Sequence, residues 1–444
     1  MTETAHAASE TTLTALELRS VWPALSPEER HDGFLTLDRA EADDFFEGLP
    51  TEDQVSLLEH LPPGQQRLWL RLLAPDDAVD VIQHIDEERR EELLGMLDDI
   101  TRREVIALLA YAEDAAGGLM SPRFARLRPS MTVGEAIRYL QRQAQAELET
   151  IYYAYVLDRE QRIRGVVSFR ELFRARPDAP IDTIMRAAVI SVPETLDQEE
   201  VARIMAQQDL NALPVVDDAG RMKGIVTIDD IVDVVEEEAT EDMQRLGGME
   251  ALHAPYLQTS TLTMVKKRAG WLSALFLGEM LTASAMGHFE DEIAKAVVLA
   301  LFVPLIISSG GNSGSQATTL IIRAIALGEA TARDFWRIVR RELVAGLSLG
   351  LILAAIGLVR VVAWQAMFQS YGEHYLAVGL TVAISLLGVV TWGTLAGSTL
   401  PFIISKLGFD PASASAPFVA TLVDVSGLVI YFNVAQLLLG GSLL

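Results

Sequence analysis

Residues 304–329 read PLIISSGGNSGSQATTLIIRAIALGE, and the rest of the chain is organised around them. The stretch closes an apolar run that begins near Lys295, so its glycines and amides fall at or near bilayer depth. Backbone that leaves the helix there needs protein or water as partner, because lipid cannot satisfy its polar groups. Gly310, Gly311 and Gly314 permit unusual backbone angles, and Asn312, Ser313, Ser315 and Gln316 carry oxygens suited to a hydrated path. Two readings follow: an irregular, pore-lining break, or a kinked helix whose small residues allow tight packing.

The chain of 444 residues has room for several domains, and half of it is apolar. Charge is unevenly spread. From Ala269 onward there are ten carboxylates and eight basic residues, of 61 and 36 in the whole chain, so nearly all of the net charge of −25 precedes Ala269. That surplus repels phosphate backbones and attracts cations, which argues against a nucleic-acid partner. There is no cysteine, and the seven histidines show no metal-ligand spacing. The first thirty residues are acidic without a central apolar run, so they do not resemble a signal peptide, and the N-terminal region is expected in the cytoplasm.

After an N-terminal tail (1–25), residues 26–118 read as short amphipathic helices, an acidic all-α domain of superhelical stacking. Ser26–Glu29 and Thr51–Gln54 have capping-box spacing, while Pro50, Pro62 and Pro75 mark breaks. Val55, Leu57, Leu58 and Leu61 recur at helical spacing. Asp76 and Asp80 share a helix face and present either a cation site or a solvated surface.

Next comes an internal repeat. Residues 155–172, YVLDREQRIRGVVSFREL, align with 214–231, PVVDDAGRMKGIVTIDDI, each preceded by a helical stretch (133–143 and 198–207) and by Met120 or Met185 before a short strand. The layout resembles a tandem pair of α/β CBS domains, here 119–181 and 182–243. In some CBS domains the Thr and Asp of a pattern like Gly224-Ile-Val-Thr-Ile-Asp-Asp230 contact nucleotide, which puts Thr227 and Asp230 forward as ATP contacts; the first copy carries Ser168 and Glu171. An acidic helical run then leads into a connector helix, 244–268, read as a solvated linker or as a lever to the membrane part.

Five apolar stretches follow in an α-helical pore domain, 269–444: Trp271–Met286, Ala294–Ile321, Leu343–Trp364, Leu376–Ile404 and Phe418–Leu439. Most are long enough for about 30 Å of hydrocarbon. Lys266–Arg268, the cluster Arg323, Arg333, Arg337, Arg340 and Arg341, and Lys406 would all lie on one side, which is then cytoplasmic and leaves Leu444 outside. Within the last stretch Asp424 sits among apolar residues, where a carboxylate costs about 2.5–3.5 kcal/mol on insertion scales. A cavity, a partner or an ion is expected there. Glu279 is a weaker case, and Asp410 falls at the cytoplasmic mouth.

This order of parts, with GGNSGSQATTLIIRAIALGE and the late TLVDVSG, resembles the MgtE family of magnesium channels and transporters over nearly the whole chain. The resemblance implies a cell-membrane homodimer in the lipid bilayer, with Asp424 binding hydrated Mg²⁺ on the two-fold axis. It also implies closure when cytoplasmic Mg²⁺ binds at Asp44, Asp76, Asp80, Asp197, Glu199, Asp209, Asp230, Glu238, Glu241 and Asp242, with Gly118 and Ala206 serving through backbone carbonyls. Ala416 departs from the Asn that the family can carry before Pro417. The other reading is a membrane-tethered CBS nucleotide sensor whose spans anchor or assemble. No nucleophile, base and oxyanion grouping points to an enzyme.

Overall fold

The computed structural model describes residues 14–143, 152–252, 256–257 and 259–440. The start of the N-terminal tail and the expected outward placement of Leu444 lie outside them. The chain divides into two compact units, Met1–Glu237 and Glu238–Leu444.

The first unit opens with short helices: α1 (Ala15–Val21), α2 (Pro27–Leu35), α3 (Arg39–Glu47), α4 (Thr51–His60), α5 (Pro63–Leu70), α6 (Pro75–His84), α7 (Glu87–Leu94) and α8 (Asp99–Leu108). Ser26 and Glu29 close a full capping box on α2. Thr51 does not do the same for α4. Pro50 takes the cap position, Thr51 is already in the first turn, and the Gln54 amide donates instead to the Phe46 carbonyl at 2.9 Å. Phe34, Phe45, Phe46, Trp69 and Leu70 build the core.

The repeat folds as expected. β1 (Arg126–Leu127), α9 (Val133–Gln143), β2 (Tyr153–Leu157), β3 (Ile163–Ser168) and α10 (Phe169–Arg174) form the first copy. After α11 (Ile181–Ile184), the second copy comprises β4 (Val192–Pro193), α12 (Gln198–Gln208), β5 (Ala212–Val216), β6 (Met222–Thr227) and the start of α13 (Ile228–Leu246). Each sheet has a parallel and an antiparallel pairing, and both carry a bulge at the same place, Val156/Leu157 and Val215/Val216. The copies exchange edges: Ser121 pairs with Ile225 on β6, and Arg186 pairs with Val166 on β3. Glycine is required at both crossings. A Cβ on Gly165 would lie 2.7 Å from Met185 Sδ, and one on Gly224 would lie 2.7 Å from the Ser121 carbonyl. Apolar residues of the second copy, among them Val201, Met205 and Val234, share one core with the helical domain.

Among the described residues no single helix covers the connector expected at 244–268. Helix α13 continues the second copy through the acidic run and stops at Leu246, where Gly248 turns the chain with φ +75°; helix resumes only at α14 (Thr261–His288).

The second unit then contains α15 (Glu290–Lys295), α16 (Val297–Ala300), α17 (Val303–Ala326), α18 (Phe335–Phe368), α19 (Tyr375–Lys406) and α20 (Ala416–Leu439). Among the described residues, four helical segments are long and apolar enough to cross a membrane: Val297–Ala326, Ala332–Phe368, Tyr375–Lys406 and Ala416–Leu439. The fifth expected crossing falls on α14, which is 28 residues long but carries Lys266, Lys267, Arg268 and Glu279 and buries none of its residues. The expected break at Gly310–Gly314 is also corrected, for α17 is helical throughout. The chain leaves the helix earlier, at Ala296 and at Leu301–Phe302, before Pro304. Helical hydrogen bonds keep the α17 backbone satisfied, and its glycines serve contact. A Cβ on Gly393 would lie 2.3 Å from the Gly310 carbonyl, and one on Gly397 would lie 2.1 Å from that of Gly314. The Ser313 and Thr394 hydroxyls (2.7 Å) and the Thr318 hydroxyl donating to the Gly397 carbonyl (2.9 Å) hold the same seam.

Gly393→Ala is expected to lower stability by about 1–3 kcal/mol, the usual cost of overpacking. Gly287→Ala, with open space around it, should be neutral or slightly stabilising. Thermal unfolding of the full chain in detergent separates the two.

Candidate metal centres and ion path

Asp424 lies half-buried two turns into α20. A Cβ on Gly311 would meet Ala420 Cβ at 3.5 Å and Asp424 Oδ1 at 3.6 Å, so the absence of a side chain at Gly311 opens the space in front of the carboxylate. Glu279 of α14 is the charged neighbour that Asp424 feels. It lines a groove with Leu272, Phe276 and Thr421. On α17 the side opposite the α19 seam carries Ser308, Asn312, Gln316 and Thr319, all exposed at helical spacing and reaching the level of Asp424. Ser315, beside this row, donates from its hydroxyl to the Ala416 carbonyl at 3.2 Å. Ala416 thus meets α17 through its backbone.

At the end of α13, Arg245 pairs with both Glu241 and Asp410. Asp410 also caps the turn Pro411–Ser413, accepting from the Ala412 amide at 2.8 Å. Burial, Asp410, Glu238 and Glu241 together push the Asp242 carboxyl up to about 6, with Arg245 acting in the opposite sense. Leu246 packs on Ile322, Ala412 and Ala414, which fixes this helix end against the loop before α20.

In the first unit, Asp80 on α6 faces the start of α13. Burial, then Asp77, Asp230, Glu113 and Glu237, hold its carboxyl well above the ordinary range. Asp230 is pushed up to about 7, chiefly by burial, although it accepts from the Thr227 amide (3.1 Å) and hydroxyl (2.7 Å). Those two bonds match the capping box that Ser168 and Glu171 make on α10, so the Thr227–Asp230 pair has a structural duty in both copies. Asp76 is 5 % exposed on α6.

The remaining expected ligands stand elsewhere. Asp44 is exposed beside Asp43 and Glu47 on α3. Asp197 caps α12 by accepting from the Glu199 amide at 2.9 Å. Ala206 is exposed on that helix, and Asp209 ends it in the left-handed region at φ 51°. Gly118 is buried where a Cβ would lie 2.4 Å from the Ala112 carbonyl. Among the described residues no three His, Asp or Glu side chains converge as a closed metal site. The sequence reading names Gly311 but not Asp77, Glu113, Glu237 or Arg245; of these four, Asp77, three residues before Asp80, and Arg245, four after Glu241, have a helical spacing signal.

Family models match three parts of the chain: a divalent cation transporter domain at 303–434, the MgtE intracellular N domain at 13–114, and CBS domains at 116–178 and 181–237. The magnesium transporter MgtE of Thermus thermophilus is 42 % identical over 95 % of this chain and 92 % of its own length. The chain belongs to the MgtE family. The Enterococcus faecalis MgtE is 37 % identical over 75 % of this chain and 71 % of that protein. A solved cytosolic domain of the Mg²⁺ channel MgtE, in complex with ATP, is 42 % identical, covers 50 % of this chain and 90 % of that one, and has a TM-score of 0.47. MgtE proteins are transporters, not enzymes, which agrees with a site made of carboxylates, amides and hydroxyls.

Asp80 and Asp230 bind protons at higher pH in the folded unit than in the unfolded chain, so folding is favoured while they are protonated. With a chelator present, stability of the first unit should fall as pH rises from about 4, where unfolded aspartates ionise, through about 7, where Asp230 ionises in the folded unit. The capping carboxylates Glu29, Glu135 and Glu171 are lowered by the bonds they accept, so their contribution has the opposite sign and is lost as pH falls below the ordinary glutamate range. Asp80→Asn should flatten the fall in a thermal unfolding series over pH.

Proposed function

We propose that this protein imports Mg²⁺ through a water-lined path on the two-fold axis of a homodimer, with Asp424 as the pore ligand. The observation that carries the reading is the polar row Ser308, Asn312, Gln316 and Thr319, which leaves one face of a membrane helix unfit for lipid at the level of Asp424. Mg²⁺ keeps most of its water and needs one or two carboxylates with further oxygens around its hydration shell. A second copy would supply the other Asp424 and cover the polar row. Helix α14 is taken as a fifth crossing: at about 1.5 Å per residue its 28 residues span about 42 Å. Its basic start would then lie on the cytoplasmic side with the Arg323–Arg341 cluster and Lys406, placing the far end of α20 outside.

Gating is assigned to the carboxylates that the fold crowds together. Asp80 and Asp230 in the first unit, with Asp76 beside them, and Glu238, Glu241, Asp242 and Asp410 in the second, would hold regulatory Mg²⁺; Asp44, Asp197, Glu199, Asp209 and the carbonyls of Gly118 and Ala206 would complete outer contacts. The fit lies in the donor set, which is all oxygens: burial first, and neighbouring carboxylates after it, raise Asp80, Asp230 and Asp242, and a cation would offset the second of these costs. Without the ion, repulsion loosens α13, and the open form gains. Nucleotide binding at Thr227 and Asp230 is a separate matter that their capping duty does not require.

Asp424→Ala should abolish Mg²⁺ uptake into proteoliposomes, and Asp424→Asn should impair it strongly, while both remain dimeric by size. Wild-type flux from a folded Asp424→Ala protein would refute the pore assignment. Protease cleavage at 238–249 should be suppressed as Mg²⁺ rises over about the millimolar range, where weak sites built from few carboxylates bind. Replacing Glu238, Glu241 and Asp242 together with Ala should weaken that protection; cleavage indifferent to Mg²⁺ would remove these residues from the sensing role.

A further inference from the structure

Arg360 stands on α18 at the end far from the basic cluster. Nineteen residues separate it from Arg341, about 29 Å along a helix and close to the thickness of a hydrocarbon core of about 30 Å. Arg340 and Arg341 at one headgroup level therefore put Arg360 at the other. A row of α18 at four-residue spacing, inclined to the helix axis and centred on Arg360, reads Ile352, Ile356, Arg360, Trp364, Phe368. Ile352, Ile356, Trp364 and Phe368 are all exposed on the surface of the unit. The guanidinium is fixed in place. Its carbon lies 3.4 Å from the centre of the Trp364 ring, and Nη1 donates to Tyr371 Oη at 3.1 Å. Gln365 holds the Tyr371 loop by accepting from the Tyr371 amide (2.7 Å) and donating to the Gly372 carbonyl (3.2 Å). Among the described residues no carboxylate forms an ion pair with Arg360.

We propose that Arg360, Trp364 and Tyr371 form a headgroup site for an anionic phospholipid. A cation on a lipid-facing stripe, at headgroup depth and without an internal counterion, takes its anion from the membrane. Trp364 leaves the outward edge of the guanidinium free, and Tyr371, accepting from Arg360, still has its own proton to donate to the same phosphate. The acyl chains lie along Ile356 and Ile352, a surface that a soluble phosphate cannot use. The site requires that α18 spans the membrane, but not that Asp424 lines the pore.

The test uses the full chain in nanodiscs with photoactivatable phosphatidylglycerol or phosphatidylcholine, mapping crosslinks by peptide mass spectrometry. Phosphatidylglycerol is expected to be preferred about five-fold on peptides containing 361–368, the ratio for one basic residue near an anionic surface. Arg360→Gln should abolish that preference and Arg360→Lys should keep part of it, while Arg337→Gln at the opposite end leaves it unchanged. Equal labelling by the two lipids in the wild type, a preference that persists in Arg360→Gln, or displacement by millimolar inorganic phosphate would overturn the proposal. The wild-type comparison decides even if Arg360→Gln fails to fold.

Discussion

The membrane unit depends on the contact between α17 and α19, where Gly310 and Gly314 meet Gly393 and Gly397 with no side chain between the backbones. Two apolar helices gain little in lipid from burying aliphatic surface against each other, so close approach and the hydroxyl bonds of Ser313 and Thr318 supply the attraction. Once that face is spent on packing, helical geometry leaves Ser308, Asn312, Gln316 and Thr319 on the other side. The same glycine-rich run therefore builds the wall and presents the polar row. Gly311 sits between these faces and leaves room in front of Asp424.

A second constraint works in the first unit. The apolar core shared by the helical domain and the second repeat copy holds α6 and the start of α13 close enough for Asp230 to add to the cost of ionising Asp80, and Asp77 to that of ionising Asp230. Packing that buries Val201, Met205 and Val234 thus stores like-charge repulsion, which a proton or a cation can relieve. At the other end of α13 the same problem is solved differently. Arg245 spans Glu241 and Asp410, leaving Asp242 as the strained carboxyl.

Arg360 shows how a residue escapes sequence reading. It lies inside an apolar run and has no charged partner at helical spacing, so it counts neither as a loop charge nor as part of a motif. Its orientation by Trp364 and Tyr371 exists only once the loop after α18 folds back. Glu113 and Glu237 escape it for a similar reason, because their neighbour Asp80 belongs to another element, α6.

The sequence by itself determined what is local or repeated: the capping box of α2, the two β-α-β-β copies, the acidic surplus before Ala269 and the apolar helices, each set by periodicity and turn chemistry over a few residues. It also singled out Asp424, since a carboxylate inside an apolar run is costly anywhere in the run. Tertiary structure decided the rest. Glycines permit both a break and a close contact, and only the presence of α19 at van der Waals distance selects an unbroken α17. Pro50, not Thr51, takes the cap of α4, and the Gln54 amide goes to the Phe46 carbonyl of a neighbouring helix. Which carboxylates face each other across α6 and α13 follows from a core assembled over more than a hundred residues of separation, information that no local spacing contains.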